Sequence, residues 1–68
     1  MKNDFASNVK NLRLQKGLLQ KELAAQLKTT QRRVSYWEKG IIEPDLETLL
    51  DIADFFQITV DELIRKEI

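Results

Sequence analysis

Apolar residues recur along this chain at offsets of three and four and nowhere alternate over the length of a strand. That period belongs to helices packed by one face. Phe5, Val9 and Leu12, with Ala6 beside them, predict a first helix from about Asp4 to Lys16. Gly17 follows, suited to the left-handed residue that closes a helix, and Lys16 suits the negative end of the dipole. Leu23, Ala24 and Leu27 predict a second helix from about Gln20 to Leu27. It begins on Leu19, a residue with no side-chain acceptor for the free N–H groups, at a cost of about 1 kcal/mol. Lys28-Thr29 makes a turn, and Thr30 caps a third helix, about Gln31 to Lys39, which ends at Gly40. Val34 and Trp37 are its inward residues. Ile41 to Pro44 is a loop. Asp45 caps a fourth helix, Leu46 to Phe56, with Leu46, Leu49, Leu50, Ala53 and Phe56 as its inward stripe. Thr59 and Glu62 form a capping box for a fifth helix running to Arg65, with Ile58 stapled onto Leu63. Val60, Leu63 and Ile64 complete its apolar face. The pattern predicts an all-α fold of five short helices.

Sixty-eight residues without a repeat or a linker predict one domain, residues 1–68, with all of the chain used by the fold and no effector domain beside it. A domain this small has a stability on the order of 3–5 kcal/mol and no room for a deep substrate cleft. Cysteine is absent, so neither a disulfide nor a thiolate metal site can brace the fold. Histidine is absent too, which removes the commonest general base and metal ligand. The glycines are far apart and build no phosphate loop, and the carboxylate pairs Asp51 with Asp54 and Asp61 with Glu62 fall on solvated helix faces. No catalysis, metal or cofactor is expected. Apolar runs are short, such as Ile41-Ile42 and Leu49-Leu50, against the ~18 residues that spanning a membrane needs. Met1 to Ser7 has no apolar core, so no signal peptide is expected, and the predicted location is the cytoplasm.

The formal net charge is zero, but its distribution is lopsided. Lys10, Arg13, Lys16, Lys21, Lys28, Arg32 and Arg33 stand against the single acid Glu22 between positions 10 and 33. From Val34 onward, nine acids stand against Lys39, Arg65 and Lys66. Such a dipole fits either two ordinary solvated faces or a polyanionic partner on one side.

Gln20 to Trp37 narrows that choice. Two short helices joined by a tight turn make a helix-turn-helix, over about residues 20–39. A small residue, Ala24, stands where the helices must nearly touch. Leu23, Leu27, Val34 and Trp37 supply the inner face. Thr30, Gln31, Arg32, Arg33, Ser35 and Tyr36 leave a polar outer face on the second helix of the pair. Gln31 can bond adenine and Arg32 can bond guanine, each bidentately, for ~1–3 kcal/mol of discrimination. Lys21, Lys28 and Arg33 suit phosphates, and Tyr36 suits a sugar or a thymine methyl.

Residues 8–64 resemble the Cro/repressor-type helix-turn-helix family, also called the xenobiotic-response-element family. The resemblance lies in Asn11-Leu12-Arg13 and Gly17-Leu18-Leu19-Gln20-Lys21-Glu22-Leu23-Ala24. It continues in Trp37-Glu38-Lys39-Gly40, Pro44-Asp45-Leu46-Glu47-Thr48-Leu49-Leu50 and Ile58-Thr59-Val60-Asp61-Glu62-Leu63. It implies a lambda-repressor-like DNA-binding domain. Gln20 matches a phosphate-binding position at the start of the second helix. Thr30, Gln31, Arg32 and Tyr36 match positions that reach base edges or the adjacent backbone, and Arg33 a position nearer phosphate. Arg13 and Glu38 match a structural ion pair between the first and third helices. The chain departs from the family at Lys28, where Gly or Asn is usual and the implied left-handed backbone is mildly strained for a lysine, at the cap Leu19, and at Ile41-Ile42-Glu43, where the loop is usually basic.

The expectation is a transcriptional regulator, most simply a repressor, binding a palindromic DNA operator as a homodimer. Phe55, Val60, Ile64 and Ile68 are leftover apolar residues for the dimer surface. The rival reading is a protein-binding module, an antirepressor or antitoxin, that uses Ile41 and Ile42.

Overall fold

The computed structural model describes residues 4–68. Its helices are α1 (Phe5–Gln15), α2 (Gln20–Gln26), α3 (Gln31–Glu38), α4 (Leu46–Phe56) and α5 (Val60–Arg65). All five lie where the apolar period places them, with α1, α2 and α3 each ending a residue earlier. Among the described residues there is no strand. The five helices surround one core. Phe5, Val9 and Leu12 come from α1, Leu23 and Ala24 from α2, Val34 and Trp37 from α3. Ile52, Ala53 and Phe56 come from α4, and Leu63 from α5. The Phe5 ring meets Trp37 edge-on, centroids 6.5 Å apart, which ties the start of α1 to the end of α3.

The inward face of α4 differs from the sequence expectation. Leu46 and Leu50 are not core residues; they are 67% and 48% exposed. Ile52 is fully buried in their place, beside Ala53 and Phe56. This helix is apolar over much of its circumference, so two helical stripes compete. Periodicity allows both, and docking against the other helices selects the one through Ile52.

Most helix starts follow their capping residues. The Thr30 hydroxyl accepts from the Arg33 N–H at 3.2 Å, and an Asp45 carboxylate oxygen accepts from the Thr48 N–H at 2.9 Å. Thr59 and Glu62 close the expected box, at 3.0 Å and 3.1 Å. Leu19 gives α2 no side-chain cap, but its own N–H is satisfied by Glu22 at 2.7 Å. Glu22 therefore repairs part of the defect that Leu19 leaves.

The ends of α1 to α4 share one device. Gly17, Lys28, Gly40 and Gln57 all have left-handed backbone, with φ of 69°, 56°, 71° and 58°. Each is followed by the paired reverse bonds of a Schellman turn; after α2 these run from Lys28 N–H to Ala25 O and from Thr29 N–H to Ala24 O. Gly17 and Gly40 adopt this geometry without penalty, whereas Lys28 and Gln57 carry side chains there.

A second link closes the molecule. Asn8, fully buried in α1, donates its amide to the Leu63 carbonyl at 2.8 Å and to the Lys66 carbonyl. Its own oxygen accepts from the Ile68 N–H at 3.1 Å, and Asn11 donates to the Ile68 carbonyl at 2.8 Å. The segment after α5 is thus held against α1 by hydrogen bonds.

Candidate nucleic-acid interface

The geometry of α2 and α3 is set by what lies between them. Leu23 and Val34 are fully buried, and Ala24 is small enough for the two helices to approach closely. The Schellman turn at Lys28 redirects the chain, and Thr30 restarts it. The left-handed backbone expected at Lys28 is present, at φ 56°.

An ion pair then fixes α3 to α1. Arg13 Nε and Nη2 donate to the two Glu38 carboxylate oxygens at 2.7 Å and 3.0 Å. Arg13 Nη1 donates to the Leu18 carbonyl at 2.7 Å. The bidentate bond to Glu38 holds the arginine charged and raises its pKa, against the opposing effect of burial. The structural pairing expected for Arg13 and Glu38 is therefore observed. Gln20 joins it, donating its amide to Glu38 Oε1 at 3.1 Å. One N–H of Gln20 is committed to the protein and one remains for another acceptor.

The remaining residues of the motif form the outer face. Thr30, Gln31, Arg32 and Arg33 are exposed at the start of α3, while Ser35 and Tyr36 are half-buried one turn later. Arg32 Nε donates to the Tyr36 hydroxyl at 3.0 Å. Lys21 is exposed on the first turn of α2. Trp37, 2% exposed, lies in the core and is no part of this face. An exposed row of amide, guanidinium and hydroxyl groups on a helix held rigidly from behind can present donors and acceptors to base edges.

The charge separation along the sequence is less clean in space. Lys28 lines an open recess with Gln26, Leu27, Asp51, Asp54 and Phe55, so acids of α4 reach the turn of the motif. Arg33 acts on Asp45 and helps hold its carboxyl below the usual range, after the larger effect of the Thr48 hydrogen bonds. Ile41, at 60% exposure, and Ile42 stand in the loop after α3 and border a recess with Phe5, Ala6 and Trp37.

Asn8 was not singled out from the sequence, and Asn11 entered only as part of the family's opening motif. Asn8 lies three residues after Phe5 and four before Leu12, on the apolar face of α1. A polar residue on such a face signals a buried hydrogen-bonding role.

A helix-turn-helix family model matches residues 9–63. The chain belongs to the Cro/repressor-type helix-turn-helix family. Among its relatives is the HTH-type transcriptional activator BcrR of Enterococcus faecalis, 39% identical over 94% of this chain and 31% of that protein. The chain spans about a third to a half of the length of its curated relatives. A transcriptional regulator from Listeria innocua superposes with a TM-score of 0.88 at 31% identity, over all of this chain and 65% of that one. The P22 c2 repressor protein in complex with synthetic operator 9T shares the fold, with a TM-score of 0.86 at 22% identity. That match covers 93% of this chain and 96% of the repressor chain. Within the family fold, α2 and α3 are the two helices of the motif. Among the described residues no helix is long and apolar enough to cross a membrane.

Proposed function

We propose that this protein binds double-stranded DNA sequence-specifically and regulates transcription, acting as a repressor in the cytoplasm by occluding a promoter. The observation that carries this reading is the exposed row Gln31, Arg32 and Arg33 at the start of α3, on a helix locked from behind by Arg13 and Glu38. In this reading Gln31, Arg32 and Tyr36 work at base edges, with Thr30 and Ser35 beside them at the groove wall. Gln20, Lys21, Lys28 and Arg33 hold phosphates and set the register without reading sequence. The whole chain, residues 1–68, serves as one domain in this role, with no catalytic activity.

One such module buries only about 600–1,000 Å² on DNA. High affinity therefore calls for two copies on a palindrome, with half-sites about one helical turn apart. Phe55, Val60, Ile64 and Ile68 are half-buried against the core, which leaves part of each for a second copy. Leu46 and Leu50 on α4, 67% and 48% exposed, add further apolar area. A monomer by sedimentation, both free and on a full palindromic site, refutes the dimer.

Selection from a pool of random duplexes, followed by salt titration on the enriched site, tests the function. The expected result is a palindrome bound with steep salt dependence. No enrichment and weak binding at low salt refute it. A second reading rests on the exposure of Ile41 beside its recess: this loop contacts a partner protein, in the manner of an antirepressor or antitoxin. In that case substitution of Ile41 and Ile42 by Ser leaves DNA selection unchanged.

A further inference from the structure

Arg32 and Tyr36 stand one turn apart on the outer face of α3. The Arg32 Nε–H donates to the Tyr36 hydroxyl oxygen at 3.0 Å, and the guanidinium carbon lies 5.4 Å from the centre of the same ring. One tyrosine thus engages the guanidinium through both its oxygen and its π system. The two partners differ in freedom. Tyr36 is half-buried, whereas Arg32 is exposed. Among the described residues Arg32 forms no ion pair.

The chemistry of the guanidinium gives this geometry a consequence. It carries five N–H donors in a planar fork. A fork can approach a pair of acceptors by its side, through Nε and one terminal nitrogen, or end-on, through both terminal nitrogens. The Tyr36 hydroxyl occupies Nε and leaves the end-on fork. A free arginine loses much rotamer freedom when it is ordered on a partner, whereas one already tethered loses less.

We propose that Tyr36 is a positioning residue that holds Arg32 end-on, so that its two terminal nitrogens address O6 and N7 of one guanine in each half-site. This rests on the DNA-binding reading above and deepens it. It differs from Tyr36 meeting a sugar or a thymine methyl directly, because the phenolic oxygen is required here. The ring alone would serve either of those contacts.

The test uses the full chain and the site that the wild type enriches from random duplexes. Affinities are measured for that site and for all single base-pair replacements within it, with the wild type, Tyr36→Phe, Arg32→Ala and the double variant. Tyr36→Phe is expected to lower discrimination about three- to tenfold at the guanine pair that Arg32→Ala relaxes, and nowhere else. In the double variant it adds nothing to Arg32→Ala. In the free protein, the Arg32 Nε–H resonance is expected to exchange slowly in the wild type and faster in Tyr36→Phe. The proposal is overturned if Tyr36→Phe leaves that base pair unaffected, relaxes a different one, or adds in full to Arg32→Ala. If the wild type enriches no sequence, the DNA reading falls and this proposal with it. If it enriches a site on which Tyr36→Phe is neutral, only the positioning role falls.

Discussion

Arg13 and Glu38 have side chains only 9% and 3% exposed, so each is the counter-charge that the other has in place of water. Breaking such a pair from one side leaves an uncompensated charge, whereas replacing both members by apolar residues is often tolerated. Glu38→Ala is therefore expected to lose roughly 3 kcal/mol, most of the stability of a domain this small. Urea unfolding followed by circular dichroism measures the loss, and Arg13→Met with Glu38→Leu should recover much of it. Asn8 poses the same problem without charge. Asn8→Ala frees the Leu63 and Lys66 carbonyls and the Ile68 N–H, for an expected cost of about 1–3 kcal/mol. Hydrogen exchange should show the loss of protection concentrated in α5 and the segment after it. The sequence disclosed these two features unequally. The Arg13–Glu38 pair was legible through family resemblance. Asn8 was not, because its partners are backbone groups more than fifty residues away, and backbone carbonyls leave no mark in a sequence.

At the scale of the element, side-chain caps start α3, α4 and α5, and left-handed residues end α1 to α4. Gly17 and Gly40 announced two of the four left-handed ends, and Lys28 was expected from the family pattern. Gln57 gave no signal, since nothing in glutamine distinguishes a left-handed residue from a helical one. Lys28→Gly removes a Cβ from a strained backbone and is expected to stabilise the fold by up to about 1 kcal/mol, read as a higher urea midpoint. The caps govern acid sensitivity. Hydrogen bonds from Thr48 hold the Asp45 carboxyl below its ordinary range, and those from Thr59 do the same for Glu62. Each folded-state pKa thus lies below its unfolded value. Their contribution is complete above the unfolded carboxylate range, about pH 4–4.5, and is lost as pH falls through the lowered values. The urea midpoint should be flat with respect to these groups above about pH 5 and fall toward pH 3. Asp45→Asn should flatten part of that fall. Helix α4 marks where element-level reading fails: Leu46 and Ile52 both satisfy a helical period, and only one of them is inside.

For the molecule as a whole, the expected reaction with DNA is electrostatic in affinity and local in specificity. Lys21, Lys28 and Arg33 on each of two copies would neutralise about six phosphates. The logarithm of the binding constant should then fall with the logarithm of salt at a slope of about −5. Lys21→Ala should flatten that slope by about two for the dimer without changing the preferred sequence. Fluorescence anisotropy across a salt series checks both. The acids Asp51 and Asp54 beside Lys28, and Asp45 near Arg33, temper the basic side. No inspection of charge along the chain could reveal that, because α4 brings the acidic half of the sequence back against the motif.

By itself the sequence determined the local matters. Helices arise where apolar residues recur at three and four, and they start at Thr30, Asp45 and Thr59, whose short oxygens reach their own backbone. The same local logic put Gln31, Arg32 and Arg33 outward, since Val34 and Trp37 had to turn inward. Tertiary structure decided everything that depends on distance along the chain. It chose Ile52 over Leu46 and Leu50, buried Asn8 against α5, drew Gln20 into the Arg13–Glu38 pair, and set acids beside Lys28 and Arg33. Each of these outcomes is an interaction between elements, and a one-dimensional pattern specifies which face an element can bury but not which partner arrives to cover it.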